Sequence, residues 1–191
     1  MKLSIITFAT SALALFGVAH ASIVDVTWDL PINPADDKSA TVSVTGTIEQ
    51  AIAKMEADYP GWNATFMAQD PASDGTGITK HADPVKYNCN VPGDADARRV
   101  PIGIGISYLR RVPGTAKNGP GPENCGRVSC SWNAAIIWCN NNNFEKELQW
   151  GQIADGAAYV VDQCSERGHD WVKGHADYAD GWYVVVRANP C

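Results

Sequence analysis

Two groups of side chains in this 191-residue chain have types and spacings that can do chemistry. The first is six cysteines, Cys89, Cys125, Cys130, Cys139, Cys164 and Cys191, confined to the last 103 residues of the chain. Thiols in such a set either oxidise in pairs or hold a metal. No C-x-x-C pair occurs and the histidines do not fall at zinc-finger spacing, so the set reads as up to three disulfides of undetermined pairing, with no metal. The second group is His169, Asp170, His175 and Asp177. Two imidazoles among carboxylates can ligate a divalent ion or exchange protons with a substrate. The same composition is that of a hydrated polar loop, which is the preferred reading; His169, Asp170 and His175 are the catalytic candidates if the chain is a hydrolase. His81 stands apart. Glu123, Glu145, Glu147 and Glu166 offer carboxylates for a paired acid and base, but only the folded chain can pair them.

Other signatures are missing. Gly103-Ile104-Gly105 has Tyr108 where a dinucleotide loop needs a third glycine, and neither H-E-x-x-H nor G-x-S-x-G occurs. No cofactor is expected. Trp62, Trp132, Trp150 and Trp171 lie in or beside predicted loops, where exposed indole faces stack on sugar rings; buried, they would be core. Asn63-Ala64-Thr65 is a glycosylation sequon after the turn residues Pro60-Gly61.

The start of the chain sets the redox setting for the cysteines. Lys2, an apolar run from Ile5 to Val18, and Ala19-His20-Ala21 have the form of a secretory signal peptide cleaved after Ala21. The run is shorter than the ~20 apolar residues a membrane span needs, and no second such run follows. Residues 1–21 are thus expected as a leader and residues 22–191 as one secreted domain. Within it, residues 22–86 carry no cysteine and residues 87–191 carry all six. Removing Lys2 leaves 14 basic against 21 acidic residues, a net charge of −7 with histidine neutral. That balance disfavours nucleic acid and anionic lipid as partners. The basic pairs Arg98-Arg99 and Arg110-Arg111 read as solvated surface.

The elements that must position these groups follow from periodicity. Ile23 to Leu30 alternates, with Val24, Val26, Trp28 and Leu30 facing inward; Thr41 to Thr45 is a second strand. Thr47 and Gln50 form a capping box that opens a helix carrying Ile48, Ile52 and Met55. Ala68 to Pro84 reads as loop, and Tyr87 to Cys89 as a short strand. Pro101 opens a helix with Ile102, Ile106 and Leu109 on one stripe, although Gly103 and Gly105 each cost it about 1 kcal/mol. Pro113 to Gly126 reads as a long loop. Arg127 to Trp132 alternates with Val128, Cys130 and Trp132 inward. Asn133 turns the chain into the buried strand Ala134 to Cys139, and Asn140 to Asn143 form the next turn. Ile153, Ala157, Val160, Val161 and Cys164 mark an amphipathic helix whose cysteine is set to staple it to a sheet. Trp182 to Val186 is the last strand, with Cys191 tying down its end. The order β-β-α, loop, α-β-β-α-β predicts an α+β fold. In it, an antiparallel sheet carries two or three helices on one face, a disulfide-stapled two-layer sandwich.

Several blocks carry a resemblance. Gly105-Ile106-Ser107-Tyr108-Leu109-Arg110 and Val112-Pro113-Gly114 are followed by Asn118-Gly119-Pro120-Gly121-Pro122. Then come Asn124 to Ser131 (N-C-G-R-V-S-C-S), Ala135 to Asn140, Ile153 to Ala157 and Val184 to Arg187. Over Tyr87 to Cys191 these resemble a family of small secreted filamentous-fungal proteins regarded as candidate effectors. A fainter likeness, in a helix ending at a cysteine and a last strand ending near one, is to smut-type killer toxins and necrosis-factor-like effectors. The resemblance implies an extracellular protein that binds a host or competitor target. The alternatives are a secreted hydrolase using the His/Asp group and a cell-wall glycan-binding module using loop tryptophans.

Overall fold

The structure, a computed structural model, describes residues 23–36, 38–69, 83–165 and 169–191; the expected leader, His81 and Glu166 lie outside the described residues. Alternation makes β1 (Val24–Pro31) and β2 (Thr41–Gly46), which pair antiparallel. Val26, Trp28 and Leu30 of β1 are buried, whereas Val24 is exposed. In α1 (Ile48–Asp58) the Thr47 N–H donates to Gln50 Oε1 at 2.9 Å. The Thr47 hydroxyl faces the Gln50 N–H outside hydrogen-bonding geometry and is buried without a partner. A second helix, α2 (Trp62–Ala68), is an addition to the expected elements, and its first turn holds Asn63. The Glu56 carboxylate accepts the N–H groups of Gly61 and Asn63, two donors a helix start leaves free, and they hold its pKa below the ordinary value.

The chain continues through β3 (Lys86–Asn88), β4 (Ala97–Arg98) and α3 (Arg99–Leu109). The expected loop from Pro113 contains β5 (Thr115–Asn118), which pairs with the unexpected β8 (Lys146–Gln149). Between them run β6 (Asn124–Ser131) and β7 (Ala134–Asn140). Then follow α4 (Trp150–Cys164), β9 (Trp171–Val172), β10 (Gly174–Tyr178) and β11 (Trp182–Ala188). The fold is α+β. Seven strands form one sheet in the order β2-β1-β6-β7-β11-β10-β3, antiparallel except where β1 meets β6.

All four helices and one face of the sheet share a single apolar cluster that includes Trp28, Ile48, Phe66, Ile102, Trp138, Ile153 and Val184. Trp28 and Trp150 stack inside it with ring centres 3.9 Å apart. The cysteine-free segment therefore contributes to the same core as the cysteine-bearing one. On the opposite face a smaller cluster of Cys125, Cys130, Ala135, Ile137 and Cys139, with Ile23, Tyr183 and Val185 against it, contains no helix residue.

Strict alternation fails in β6. Arg127 lies opposite Ile137 but Ser129 lies opposite Ile136, so Val128 is an extra residue in a bulge. One inserted residue exchanges the two faces for everything after it. Ser129, expected outside, is fully buried among the helices, and Cys130 turns to the other face. Trp132, expected inside, is 86% exposed at the hairpin tip. The carboxylate of Glu49 in α1 satisfies the bulge, accepting from Ser129 Oγ at 2.5 Å and from the Cys130 N–H at 3.0 Å.

The six cysteines form three disulfides: Cys89–Cys164, Cys125–Cys139 and Cys130–Cys191. The first joins the end of α4 to the residue after β3, the staple that the helical stripe implied. The other two lie on the face of the smaller cluster.

Candidate functional site

Charge, aromatic surface and concavity meet on the sheet face that carries the Cys125–Cys139 disulfide, whose apolar cluster contains no helix residue among those described. Its floor follows from the strand register. Cys139 of β7 lies beside Tyr183 of β11, which lies beside Asp177 of β10; the next row is Ile137, Val185 and His175. Side chains at these positions point to the same side of the sheet, because register partners share a face. The Cys125–Cys139 disulfide bridges directly opposed residues of β6 and β7, with Cα atoms 4.0 Å apart, and locks one end of this floor.

One wall comes from the asparagine-rich turn and the N-G-P-G-P block. Buried Asn140 donates from Nδ2 to the carbonyls of Gly119 and Phe144, both at 2.8 Å, and its Oδ1 accepts from the Asn142 N–H at 2.9 Å. Gly121 donates to the Asn142 carbonyl at 2.6 Å, and a Cβ at position 121 would lie 2.1 Å from the Asn140 carbonyl oxygen. Only glycine permits that approach. The tied loop presents Glu123, whose backbone is left-handed (φ 57°) and whose N–H donates to Asn141 Oδ1 at 3.0 Å. Across the face, Asp94 pairs with Arg187, and its backbone carbonyl accepts from Lys173 Nζ at 3.0 Å.

Floor and walls enclose an open cavity of about 380 Å³, lined by Asp94, Glu123, Asn141, His175, Asp177, Tyr183 and Arg187 over Ile137, Val185 and the disulfide. That volume falls within the range of small-ligand sites. His175 Nε2 lies 3.3 Å from Asp177 Oδ2, off the hydrogen-bonding direction, and that buried oxygen has no hydrogen bond. Burial, then the charges of Glu123 and Asp177, raise the Tyr183 pKa above that of a free phenol, against a smaller opposing effect from Arg187. Tyr183 is therefore an uncharged phenol at neutral pH, and its oxygen is 3.7 Å from Cys125 Sγ.

The anticipated His/Asp group divides. His175 and Asp177 stand on strand β10 rather than in a loop, and of His169, Asp170 and His175 only His175 lines the cavity. His169 and Asp170 lie at the start of α3, where their carbonyls accept from Arg99 Nη1 at 3.4 Å and from the Arg99 N–H at 2.8 Å. Among the described residues no three of His, Cys, Asp and Glu are grouped to hold a metal ion. Trp62 and Trp150 are core, and Trp171 is 49% exposed with the Arg98 guanidinium 5.3 Å from its ring centre. Arg110 pairs with Asp155 at 2.8 Å and Arg111 caps Ser107, so neither is merely solvated. Tyr183 and Arg187 of β11 and Asp94, between β3 and β4, carry no local sequence signal, because only the sheet register and the fold bring them to this cavity. No helix among the described residues is long and apolar enough to cross a membrane. Comparison with family models, curated proteins and solved structures gives no match.

Proposed function

We propose that this chain is an exported, disulfide-bonded binding protein of the effector or toxin type that engages a host or competitor target through the sheet face carrying the Cys125–Cys139 disulfide. The supporting observation is the cavity over Tyr183 and Asp177, floored by strands and closed at one end by a disulfide. A rigid, preorganised floor lowers the ordering cost of binding, which is what a small surface-acting protein requires. The leader-like start, the three disulfides and the fungal-family resemblance all favour action outside the cell.

The test applies purified protein to plant leaf tissue and to cultures of competing yeasts. Dose-dependent cell death or growth arrest is expected, lost with Tyr183→Ala and kept with Lys117→Ala, an exposed change on β5. Full response with Tyr183→Ala overturns the assignment of the face. Turnover of polysaccharide, peptide or RNA substrates that disappears with His175→Ala overturns the binding reading in favour of a hydrolase. Glycan binding keeps one specific support, the 86% exposure of Trp132; retention on chitin or glucan lost with Trp132→Ala would establish it.

A further inference from the structure

The charge and shape of the cavity restrict what can occupy it, an inference that rests on the binding reading above. Of its charged groups, Asp94 and Arg187 neutralise one another. Glu123 and Asp177 remain; His175 Nε2 lies 3.3 Å from Asp177, and neither carboxylate is paired with a lysine or arginine among the described residues. Lys86 lies opposite Asp177 in the register of β3 and β10, yet it is exposed, makes no ion pair with it among the described residues and does not line the cavity. Below these carboxylates the floor is apolar: Ile137, Val185 and the Cys125–Cys139 bridge.

We infer that the cavity receives a basic side chain, lysine or arginine, from a protein partner. The hydrocarbon stem lies on Ile137 and Val185, and the cationic head sits between Glu123, Asp177 and the Tyr183 ring. Three features match that amphipathic shape. The apolar floor accepts the methylene stem. The two carboxylates supply charge-assisted hydrogen bonds, including the Asp177 oxygen that has none among the described residues. The uncharged phenol ring offers a face to a cation. A neutral or anionic group would leave both carboxylates without a cationic lysine or arginine partner. The overall negative charge of the chain also favours approach of a basic surface.

The probes are pentapeptides with lysine, arginine, norleucine or glutamate at the centre and acetylated and amidated ends, followed by amide chemical-shift titration of the intact protein. The lysine and arginine peptides are expected to shift resonances around Glu123, Asp177 and Tyr183. The norleucine and glutamate peptides are expected to bind at least roughly fivefold more weakly, the scale of one partly exposed ion pair. Glu123→Gln and Asp177→Asn, near-isosteric changes whose folding is checked by thermal melting, should each weaken the lysine peptide by a similar factor and reduce its salt dependence. Equal binding of the norleucine peptide, or unchanged affinity in both variants, overturns the inference. Tighter binding of free spermidine than of the lysine peptide overturns the choice of a protein partner. If leaf or yeast responses require Tyr183 while no basic peptide binds, the ligand class fails and the face stands. If the responses survive Tyr183→Ala, the face itself fails.

Discussion

Two glycines two residues apart, on different faces of α3, give the sharpest test of how that helix meets the sheet. Gly103 and Gly105 carry the same intrinsic penalty in a helix, and alanine at either site would relieve about 1 kcal/mol of it. Their surroundings differ. Gly103 is exposed, and a Cβ built there meets nothing within 4 Å. At Gly105 a Cβ would lie 2.1 Å from Ser129 Oγ, 2.9 Å from Ser129 Cβ and 3.2 Å from Ile136 Cδ1. Ser129 cannot simply swing aside, because its hydroxyl holds Glu49 at 2.5 Å across the β6 bulge. Overpacking a core costs about 1–3 kcal/mol, and losing a hydrogen bond to a charged group adds about 1.5–3 kcal/mol. Net of the helix gain, Gly105→Ala should destabilise by roughly 3 kcal/mol and Gly103→Ala should stabilise by up to about 1 kcal/mol. For a domain of this size that is a Tm lower by about 6–12 °C in the first case and higher by about 2–4 °C in the second. Thermal and urea melts of the disulfide-intact variants read both values. Shifts of the same sign in the two variants would refute the close contact of α3 with β6 and β7.

Three further outcomes follow from separate parts of the molecule. Peptide mapping without reduction should give Cys89–Cys164, Cys125–Cys139 and Cys130–Cys191. By loop closure, removing the 75-residue link should cost about 4 kcal/mol and removing the 14-residue link about 3 kcal/mol; six alkylatable thiols in native material would contradict the scheme. Trp132 (φ 53°) and Asn133 (φ 56°) form a left-handed hairpin turn. Trp132→Gly should therefore raise stability by about 1 kcal/mol in urea denaturation, and a loss would show that the indole contributes packing. Tyr178 and Tyr183 hold their protons more tightly folded than unfolded, chiefly through burial. Their contribution to stability is present in full below the ordinary phenol pKa of about 10 and lost as pH rises above it. Absorbance at the tyrosinate band, compared with that of Tyr178→Phe and Tyr183→Phe variants, should show these two phenols ionising above the ordinary value, followed by unfolding; ionisation of either near pH 10 would refute the burial.

Much of the secondary structure was legible because it rests on local rules. The alternation in β1 and β2 and the stripes of α3 and α4 each bury one side through their own periodicity, the Gln50 cap marks the start of α1, and the apolar run Ala134 to Cys139 marks β7, buried on both faces. The site was not legible in that way. His175 and Asp177 sit in a polar stretch that reads as loop; it becomes a strand because β11 on one side and β3 on the other complete its hydrogen bonds. The Asn140–Asn143 run reads as a turn, yet Asn140 is a buried hub whose partners lie some twenty residues upstream in the N-G-P-G-P block.

The amino-acid order alone determined the oxidisable cysteine set, the acidic balance and most of the helices and strands, since charge, composition and short-range periodicity need no distant partner. Tertiary structure decided which cysteine meets which, that β6 carries a bulge exchanging Ser129 with Cys130 between faces, and which strand residues line the cavity. Those outcomes depend on contacts between residues far apart in the chain. A single inserted residue in one strand reverses them while leaving the local pattern almost unchanged.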